Sequence, residues 1–365
     1  GHAAGANLGV LTPCDYCQNQ PNLATTRLIG TFADGFSSQT ALTTTPALLS
    51  FASGSVNEAA AAFIPQSSAG QNQFNVPPSM STLVTGAMQL QVGNLYGLAW
   101  HRNTGTLFSA AFGRANNMTN GGLGPGGLGA IYMTKNGVTS LFATVANVGT
   151  FGNGTNDSVG TVGLGDLEMS QDGNTLYTVN VFAHTLVSIP VMGSTPSAGS
   201  QSSTALPVPS DCPAANIHAF ALGRNYDKLY IGMTCDGIGA ANLVGYVYEY
   251  DGASFTQKIN LPFNYSRPNI NANYYGAANF ANYVDNNLDF IDWSTYPNPL
   301  GYAELGSPPN QTLGGFALDA KTQPWLTDIE FDRGDMLLGI RNRTGDAQAS
   351  LGWVTGGDLL RACAN

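Results

Sequence analysis

Charge is the scarcest property of this sequence. Only 10% of its 365 residues are Asp, Glu, Lys or Arg, against about 25% in ordinary soluble domains. The 13 Lys and Arg are outnumbered by 23 Asp and Glu, so the net charge is −10. Binding to nucleic acid or to anionic membranes requires clustered cations. These two classes of partner are therefore excluded, and we expect a surface of amides, hydroxyls and glycine of the kind found on extracellular proteins.

Long apolar runs are also missing. Residues 59–101 and 173–210 contain no charged side chain, yet Gln, Asn, Ser, Thr, Pro and Gly interrupt both stretches. A membrane-spanning helix needs about 20 predominantly apolar residues. The sequence therefore predicts no membrane span.

Motifs for common catalytic machinery are absent as well. The chain contains no phosphate-binding G-x-x-x-x-G-K-[ST], no zinc-binding H-E-x-x-H and no G-x-S-x-G nucleophile elbow. The sequence thus predicts a protein that is not an enzyme.

Short β-rich runs separated by tight turns dominate what is present. Asn136-Gly137 and Asp172-Gly173 each divide two such runs, as type I′ hairpin turns do. A longer pattern of strand, turn and strand begins at Gly97, Gly165, His218 and Thr327, at intervals of 68, 53 and 109 residues. The last interval leaves room for two units. We therefore predict an all-β fold, a single β-propeller of six or seven four-stranded blades.

One domain is predicted to cover residues 1–365, with long loop insertions. Residues 193–211 are rich in Ser, Pro and Gly, and residues 267–300 are rich in Asn and Tyr, so both are predicted as insertions. Residues 1–30 are predicted to be an N-terminal segment that docks on a neighbour or closes the ring.

Five segments resemble parts of known proteins. The run GTVGLGDLEMSQDGNTLYTVNVFAHTLVSIPV resembles a blade of secreted bacterial propellers with YVTN-type repeats. The runs WLTDIEFDRGDMLLGIRNRTGD, GGDLLRAC, KLYIGMTCDG and VYEYDGASFTQKINLPFNY resemble SdrD-like surface proteins of bacteria, over roughly residues 95–363. The resemblance implies export, a cell-surface setting and a propeller without a known biochemical role.

Five cysteines fit an oxidising compartment. Cys212 and Cys235 flank one hairpin region, so we predict a local disulfide between them. Cys363 can pair with Cys14 or Cys17, because the two ends of a closed propeller meet. The alternative is a Cys14–Cys17 disulfide with a free Cys363.

Six sequons of the form N-x-[ST] are candidate glycosylation sites, and attached glycans would mark surface loops. They begin at Asn117, Asn153, Asn156, Asn264, Asn310 and Asn342.

Two acidic pairs form a candidate metal site. Asp166-Leu167-Glu168 and Asp328-Ile329-Glu330 each place two carboxylates on one face of a predicted strand. If these strands are innermost, Asp166 and Asp328 face the central channel, where lactonase-type propellers hold calcium. Oxygen ligands suit Ca²⁺, although turn capping by these aspartates is the alternative explanation.

Three hypotheses for function follow. The first is a non-enzymatic extracellular structural subunit or adhesive module of a bacterial surface assembly, a homopolymer or a partner of other surface proteins and glycans. The second is a calcium-dependent propeller enzyme of the lactonase or hydrolase type. The third is a carbohydrate- or protein-binding surface module that uses Tyr and Trp of residues 267–300.

Overall fold

A computed structural model describes residues 22–26, 47–52, 87–114, 122–152, 158–239, 241–267, 289–293, 322–347 and 357–363. Nearly all regular structure in these residues is β-strand. Two strands, Asn22–Thr26 (β1) and Leu48–Ala52 (β2), pair as a separate antiparallel ribbon. Three short helices occur in the described residues: Gln89–Val92 (α1), the 3₁₀ turn Ala214–Asn216 (η1) and Thr344–Ala347 (α2).

The remaining strands form four antiparallel sheets, which are the blades of a propeller. Blade 1 contains Leu95–His101 (β3), Thr106–Ala111 (β4), Ala130–Lys135 (β5) and Val138–Thr144 (β6). Blade 2 contains Leu164–Met169 (β7), Thr175–Asn180 (β8), Thr185–Met192 (β9), Ser197–Ala198 (β10) and Ser202–Ala205 (β11). Blade 3 contains Ile217–Asn225 (β12), Lys228–Asp236 (β13), Leu243–Tyr250 (β14) and Phe255–Pro262 (β15). Blade 4 contains Pro324–Asp332 (β16), Asp335–Asn342 (β17) and Asp358–Ala362 (β18).

The first strand of each blade lies nearest the centre of the ring. Neighbouring inner strands approach so closely that a side chain does not fit between them at three glycines. A Cβ added at Gly97 would lie 2.7 Å from the backbone nitrogen of Leu167, and one added at Gly165 would lie 2.5 Å from the carbonyl oxygen of Phe220. Gly223 has the same relation to Ile329 on β16. Glycine at these positions therefore sets the spacing of the blades.

Aromatic side chains fill the centre at the end where the inner strands begin. The rings of Phe220 and Trp325 meet edge to face with centroids 4.4 Å apart, and Tyr96 lies 5.0 Å from Phe220. Phe112 lies 6.1 Å from Trp325. These side chains come from blades 1, 3 and 4 and are almost fully buried. The packing joins the blades into one core at this end.

The prediction of a β-propeller is confirmed, but the predicted six or seven four-stranded blades are wrong. The described residues form four blades of three to five strands. Each of the four repeats seen in the sequence became one inner strand: β3, β7, β12 and β16. The 109-residue interval leaves room for two units, yet the described part of it holds one blade. Residues 268–288 and 294–321 of this interval are not described. Repeat spacing alone cannot separate an additional blade from an insertion.

Residues 193–211 are not simply a loop. They include β10 and β11, which both pair with β9 and widen blade 2. Of residues 267–300, only Arg267 and 289–293 are described, and of residues 1–30 only β1. Within the described parts of the chain, no helix is long and apolar enough to cross a membrane.

Candidate functional site

A cleft of about 390 Å³ opens on the face of the propeller where the inner strands begin. Blades 2, 3 and 4 all contribute to it, together with the segment at residues 289–293. Its volume lies within the range of about 300–1,000 Å³ that is typical of small-molecule sites. The described residues that line it are Thr161, Val181, Phe182, His184, Ala214, Ala215, Ile217, His218, Asp236, Ile238, Trp293 and Arg343.

His218 and Asp236 form the polar centre of the cleft. His218 stands near the start of β12, and Asp236 ends the adjacent strand β13, so pairing of these strands brings the two side chains together. Nε2 of His218 lies 3.0 Å from Oδ2 of Asp236. The second carboxylate oxygen, Oδ1, accepts hydrogen bonds from Nδ2 of Asn216 at 2.8 Å and from the backbone N–H of Ile238 at 2.9 Å.

These hydrogen bonds decide the charge of the acid. Burial alone would raise the pKa of Asp236, but the donors from His218, Asn216 and Ile238 outweigh burial and hold the pKa below its ordinary value. Asp236 is therefore a carboxylate at neutral pH. A carboxylate accepts hydrogen bonds and cannot donate them, so Nε2 of His218 carries the proton of this bond.

Trp293 lies beneath the cleft and fastens blade 3 to blade 4. Its backbone N–H donates to the carbonyl oxygen of Asp236 at 2.8 Å, and its indole N–H donates to the carbonyl oxygen of Pro324 at 2.8 Å. The His218 ring stacks on the indole with centroids 4.7 Å apart and planes 9° apart. The guanidinium carbon of Arg343 lies 4.9 Å from the indole centroid. Trp293 is only 2% exposed, so its role here is structural.

His184 reaches the cleft from the turn between β8 and β9. Its backbone adopts φ of +52°, which is uncommon for residues other than glycine. Nε2 lies 3.3 Å from the carbonyl oxygen of Pro207, to which it donates. Nδ1 is buried and has no hydrogen-bond partner within the described part of the chain. Burial lowers the pKa of His184, and the neighbouring His218 acts in the same direction while Pro207 opposes them.

The predicted disulfide between Cys212 and Cys235 is present, and it lies beside this cleft. The two Cα atoms are 6.0 Å apart. Cys235 pairs with Ile217 across β12 and β13 and precedes Asp236 directly. The bond therefore ties the segment around η1 to the strand that carries Asp236. Cys363 is exposed and has no disulfide partner among the described residues, and Cys14 and Cys17 lie outside those residues, so the pairing of these three cysteines stays a prediction.

Asp166 and Asp328 lie on inner strands, and each is close enough to Tyr96 for its charge to act on that phenol. Burial raises the pKa of Tyr96. The charge of Arg341 and a hydrogen bond with Thr327 lower this pKa, and the charges of Asp328 and Asp166 raise it. Oδ1 of Asp166 is occupied by the backbone N–H of Leu167 at 2.9 Å. The pKa of Asp328 is raised to about 7, chiefly by burial. A hydrogen bond from the backbone of Ile329 lowers this pKa, and the charge of Glu168 raises it.

Calcium binding at this arrangement stays a prediction. The ion takes six to eight oxygen ligands, and one oxygen of Asp166 already serves the backbone. Among the residues that the structure describes, no group of three or more His, Cys, Asp or Glu side chains is placed to hold a metal ion. Asp166 is buried on β7 of blade 2, and Asp328 is half-buried on β16 of blade 4.

The sequons fall into three classes. Asn264 is exposed and can carry a glycan. Asn342 is buried on β17, and its Oδ1 accepts the backbone N–H of Gln323 at 3.1 Å. A glycan there would displace this packing, so the surroundings of Asn342 speak against the predicted modification. The other four, Asn117, Asn153, Asn156 and Asn310, lie outside the described residues.

The sequence does not predict the cleft, because the residues that line it are far apart along the chain. His184, His218, Asp236, Trp293 and Arg343 share no local motif and span 159 residues of the chain. The available signal was indirect. His218 stands at the start of a repeat, and Asp236 follows a predicted disulfide cysteine.

No family model matches the chain. It is 24% identical over 375 residues to Colossin-B of Dictyostelium discoideum, covering 98% of this chain and 8% of that protein. Colossin-D of the same organism is 25% identical over 386 residues, covering 98% of this chain and 34% of that protein. The chain thus spans a minor part of the length of these relatives. Neither match supports the resemblance to SdrD-like proteins specifically.

Similarity to solved structures is remote. The structure of an auxiliary nutrient binding protein from Bacteroides thetaiotaomicron aligns with this chain at 11% sequence identity and a TM-score of 0.39. The alignment covers 88% of this chain and 54% of that protein's chain. A score this low carries no argument about function. The comparisons therefore show that the chain is similar, at low identity, to segments of Dictyostelium colossins.

Proposed function

We propose that this chain is a non-enzymatic extracellular module that binds a partner or ligand at a surface, as an adhesive unit does. The observation that carries this proposal is the cleft between blades 2, 3 and 4. Its walls come from separate blades held by Trp293 and by the Cys212–Cys235 disulfide. A cleft fixed in this way is formed before a ligand arrives, which lowers the entropic cost of binding.

An extracellular setting is supported by chemistry. Disulfides persist in oxidising compartments and are rare in the cytosol, and Cys212–Cys235 closes a local loop next to the cleft. The low charge of the chain, 10% of residues, agrees with a surface that presents hydroxyls and amides. A bacterial, SdrD-like origin rests on the sequence resemblance alone.

A modular character is supported by the relatives. Residues across 98% of this chain align with only 8% of Colossin-B. A stretch of this length that recurs inside a much longer protein behaves as a structural unit with its own core. The four blades and their joint aromatic core meet that description.

Binding without catalysis is supported by the side chains of the cleft. Among the described residues that line it, none is Ser, Cys or Lys, and Thr161 is the one that carries a hydroxyl group. Asp236, the acid of the cleft, is engaged by three donors. His218 directs Nε2 to this acid rather than to a nucleophile.

Cell binding by labelled protein tests the proposal. We expect fluorescently labelled protein to bind intact cells in flow cytometry, and His218→Ala and Phe182→Ala to reduce the signal at least tenfold. Tyr226→Ala is the matched control, because Tyr226 is an exposed aromatic in the turn at the opposite end of β12. Absent binding, or equal binding by the cleft variants and the native protein, would overturn the proposal.

A structural role is a second candidate, and blade 4 favours it. Within the described residues, β18 pairs with β17 alone, whereas blades 1 and 3 have four strands. An unpaired edge can accept a strand from another chain. Electron microscopy of the native material tests this role: regular filaments would support a self-assembling subunit, and discrete particles would refute it.

A calcium-dependent lactonase or hydrolase is the third candidate, in which Asp166 on β7 and Asp328 on β16 would hold the ion. Metal analysis and unfolding curves with and without chelator test it. Bound calcium and a chelator-sensitive stability would revive it, and their absence would dismiss it.

A further inference from the structure

We propose that the turn between β8 and β9 is an acid-sensitive latch, which holds one wall of the cleft while His184 is neutral and releases it when His184 takes up a second proton. The turn covers residues 181–184 and carries Phe182, a side chain on the rim that is 53% exposed. Release of the latch would therefore alter the shape of the cleft. The resulting loss of partner binding rests on the proposed function, whereas the opening of the turn does not.

His184 ties this turn to the chain that follows β11. Its backbone carbonyl oxygen accepts the N–H of Leu206 at 3.1 Å, and Nε2 of its side chain donates to the carbonyl oxygen of Pro207 at 3.3 Å. The same chain continues to η1, where Ala214 and Ala215 line the cleft. The two contacts of His184 thus hold two walls of the cleft together.

The turn has further anchors at the end of β8. Oδ1 of Asn180 accepts the backbone N–H of Ala183 at 3.0 Å, and Nδ2 of Asn180 donates to the carbonyl oxygens of Ala146 and Asn147. Amide groups do not titrate near neutral pH. Protonation therefore acts on the turn through His184, which is its one titratable residue.

A second proton on His184 has no favourable place in the closed turn. A neutral imidazole carries one proton, and the bond to Pro207 requires it on Nε2. The second proton must therefore enter at Nδ1, which is buried and has no hydrogen-bond partner within the described residues. A buried donor without an acceptor, on a ring that has become charged, destabilises the closed turn.

The charged groups around the cleft do not offset this cost. Arg343, after β17, is a second cation on the cleft, and three donors already engage the carboxylate of Asp236 at the end of β13. Burial is the main reason that the pKa of His184 lies below its ordinary value. His218 on β12 lowers this pKa as well, and the bond to Pro207 raises it.

The pH at which the latch opens follows from this difference. In the open turn His184 is in water and has a pKa of about 6.5, which is above its pKa in the closed turn. The closed turn is therefore fully favoured above about pH 6.5, and this contribution is lost as the pH falls. The ratio of open to closed turns rises about tenfold for each pH unit below about 6.5, until the closed turn is protonated too.

Hydrogen exchange of the Leu206 amide tests the latch, because its bond to His184 breaks when the turn opens. The protection factor is the ratio of the intrinsic exchange rate to the measured rate. We expect it to fall up to about tenfold between pH 7.5 and pH 5.5 in the native protein. His184→Asn cannot take up a proton and suits the φ of +52° at this position, so its protection factor should stay constant.

His101→Gln is the matched control for the exchange experiment. His101 is also buried, and burial also lowers its pKa, but it lies at the far end of the inner strand β3 from the cleft. Its replacement should leave the fall in Leu206 protection unchanged. His184→Gln, which does not titrate either, serves if His184→Asn is unfolded at pH 7.5.

Cell binding at the same two pH values tests whether the latch controls the cleft. We expect labelled native protein to bind cells less at pH 5.5 than at pH 7.5, and His184→Asn to bind equally at both. The same cells and label serve for both proteins, so the comparison isolates the histidine.

The outcomes separate the latch from the binding function. Protection of Leu206 that is constant with pH in the native protein, or that falls equally in His184→Asn, would refute the latch. A fall in protection without a change in cell binding would refute control of the cleft and leave the binding function intact. Absent cell binding at both pH values would refute the binding function, and the exchange rates alone would then decide the latch.

Discussion

Arg114 of the loop after β4 and Asp346 of α2 are separated by 232 residues, yet Nε of the arginine lies 2.9 Å from Oδ1 of the acid. The contact joins the first blade to the last. Arg341 donates to the same carboxylate at 2.6 and 2.8 Å and places its guanidinium 5.3 Å from the ring of Tyr96 on β3. Ring closure in the described residues is therefore partly electrostatic.

Removing this carboxylate will destabilise the fold. Asp346 is fully buried, so Asp346→Ala leaves Arg114 and Arg341 without the acid that compensates them. Breaking a buried ion pair from one side costs about 3–5 kcal/mol. We expect a loss of this size in the free energy of unfolding measured with urea.

A surface pair provides the control. Asp335 lies 2.7 Å from Arg361, whose side chain is about half exposed, and exposed pairs contribute about 0–1 kcal/mol. Asp335→Ala should therefore change stability little. Equal effects of the two substitutions would contradict an electrostatic closure.

The spacing of blades predicts the effect of a single methyl group. Gly223→Ala would drive Cβ into the backbone of Ile329 on the next inner strand. Overpacking of this kind costs about 1–3 kcal/mol, and backbone atoms cannot rotate away. We expect Gly223→Ala to lower the free energy of unfolding, measured with urea, by about 3 kcal/mol. Gly252→Ala, with open space around its Cβ but φ of +94°, should lose about 1 kcal/mol through backbone strain alone.

Reduction of the disulfide should weaken the fold and the cleft together. Cys212 and Cys235 are 23 residues apart, and closing a loop of that length contributes about 3 kcal/mol in the chain-entropy model. We expect the double Cys→Ser variant to lose that stability and to bind cells less well. Cys363→Ser, which removes an exposed thiol, should change neither property. Full retention of cell binding in the double variant would show that the bond does not support the cleft.

The raised pKa of Asp328 predicts that the stability of the fold depends on pH. Its folded-state pKa of about 7 exceeds the ordinary value of about 3.9, so the folded protein binds more protons than the unfolded chain between pH 4 and 7. The contribution of Asp328 to the free energy of unfolding is therefore fully present below about pH 4 and is lost as the pH rises through about 7. Asp328→Asn cannot ionise and avoids this decline.

Urea unfolding at pH 5 and pH 8 measures the effect. We expect the stability of Asp328→Asn relative to the native protein to rise between the two pH values. Asp251→Asn is the control, because hydrogen bonds from Ser254 and Ala253 lower the pKa of Asp251 to about 2 and the group stays ionised throughout. A difference that is constant with pH would contradict a protonated Asp328.

Local features could be predicted from the sequence because they depend on neighbours along the chain. Asn136-Gly137 forms the predicted hairpin, with φ of 50° and 77° at the two residues. Asp172-Gly173 forms a hairpin of another type, since only Gly173 has positive φ and Asp172 holds the turn by accepting from Ser170 and Asn174. The four repeats correctly located the inner strands.

Features that depend on distant contacts could not be predicted. The number of blades depends on how residues between repeats are used, which spacing does not reveal. The meeting of His184 with His218, and of Arg114 with Asp346, arises only when blades close into a ring. Asp166 and Asp328 are predicted to lie at the centre, and both lie near Tyr96, but their hydrogen bonds and protonation depend on the folded surroundings.

The positions of the protons on His184 and His218 are the most direct test of the cleft, because the hydrogen bonds to Pro207 and Asp236 determine them. Long-range ¹H–¹⁵N spectra of the imidazole rings at neutral pH measure them, and the chain has only four histidines. We predict that both rings carry a proton on Nε2. A ring without a proton on Nε2 in the free protein would contradict the account.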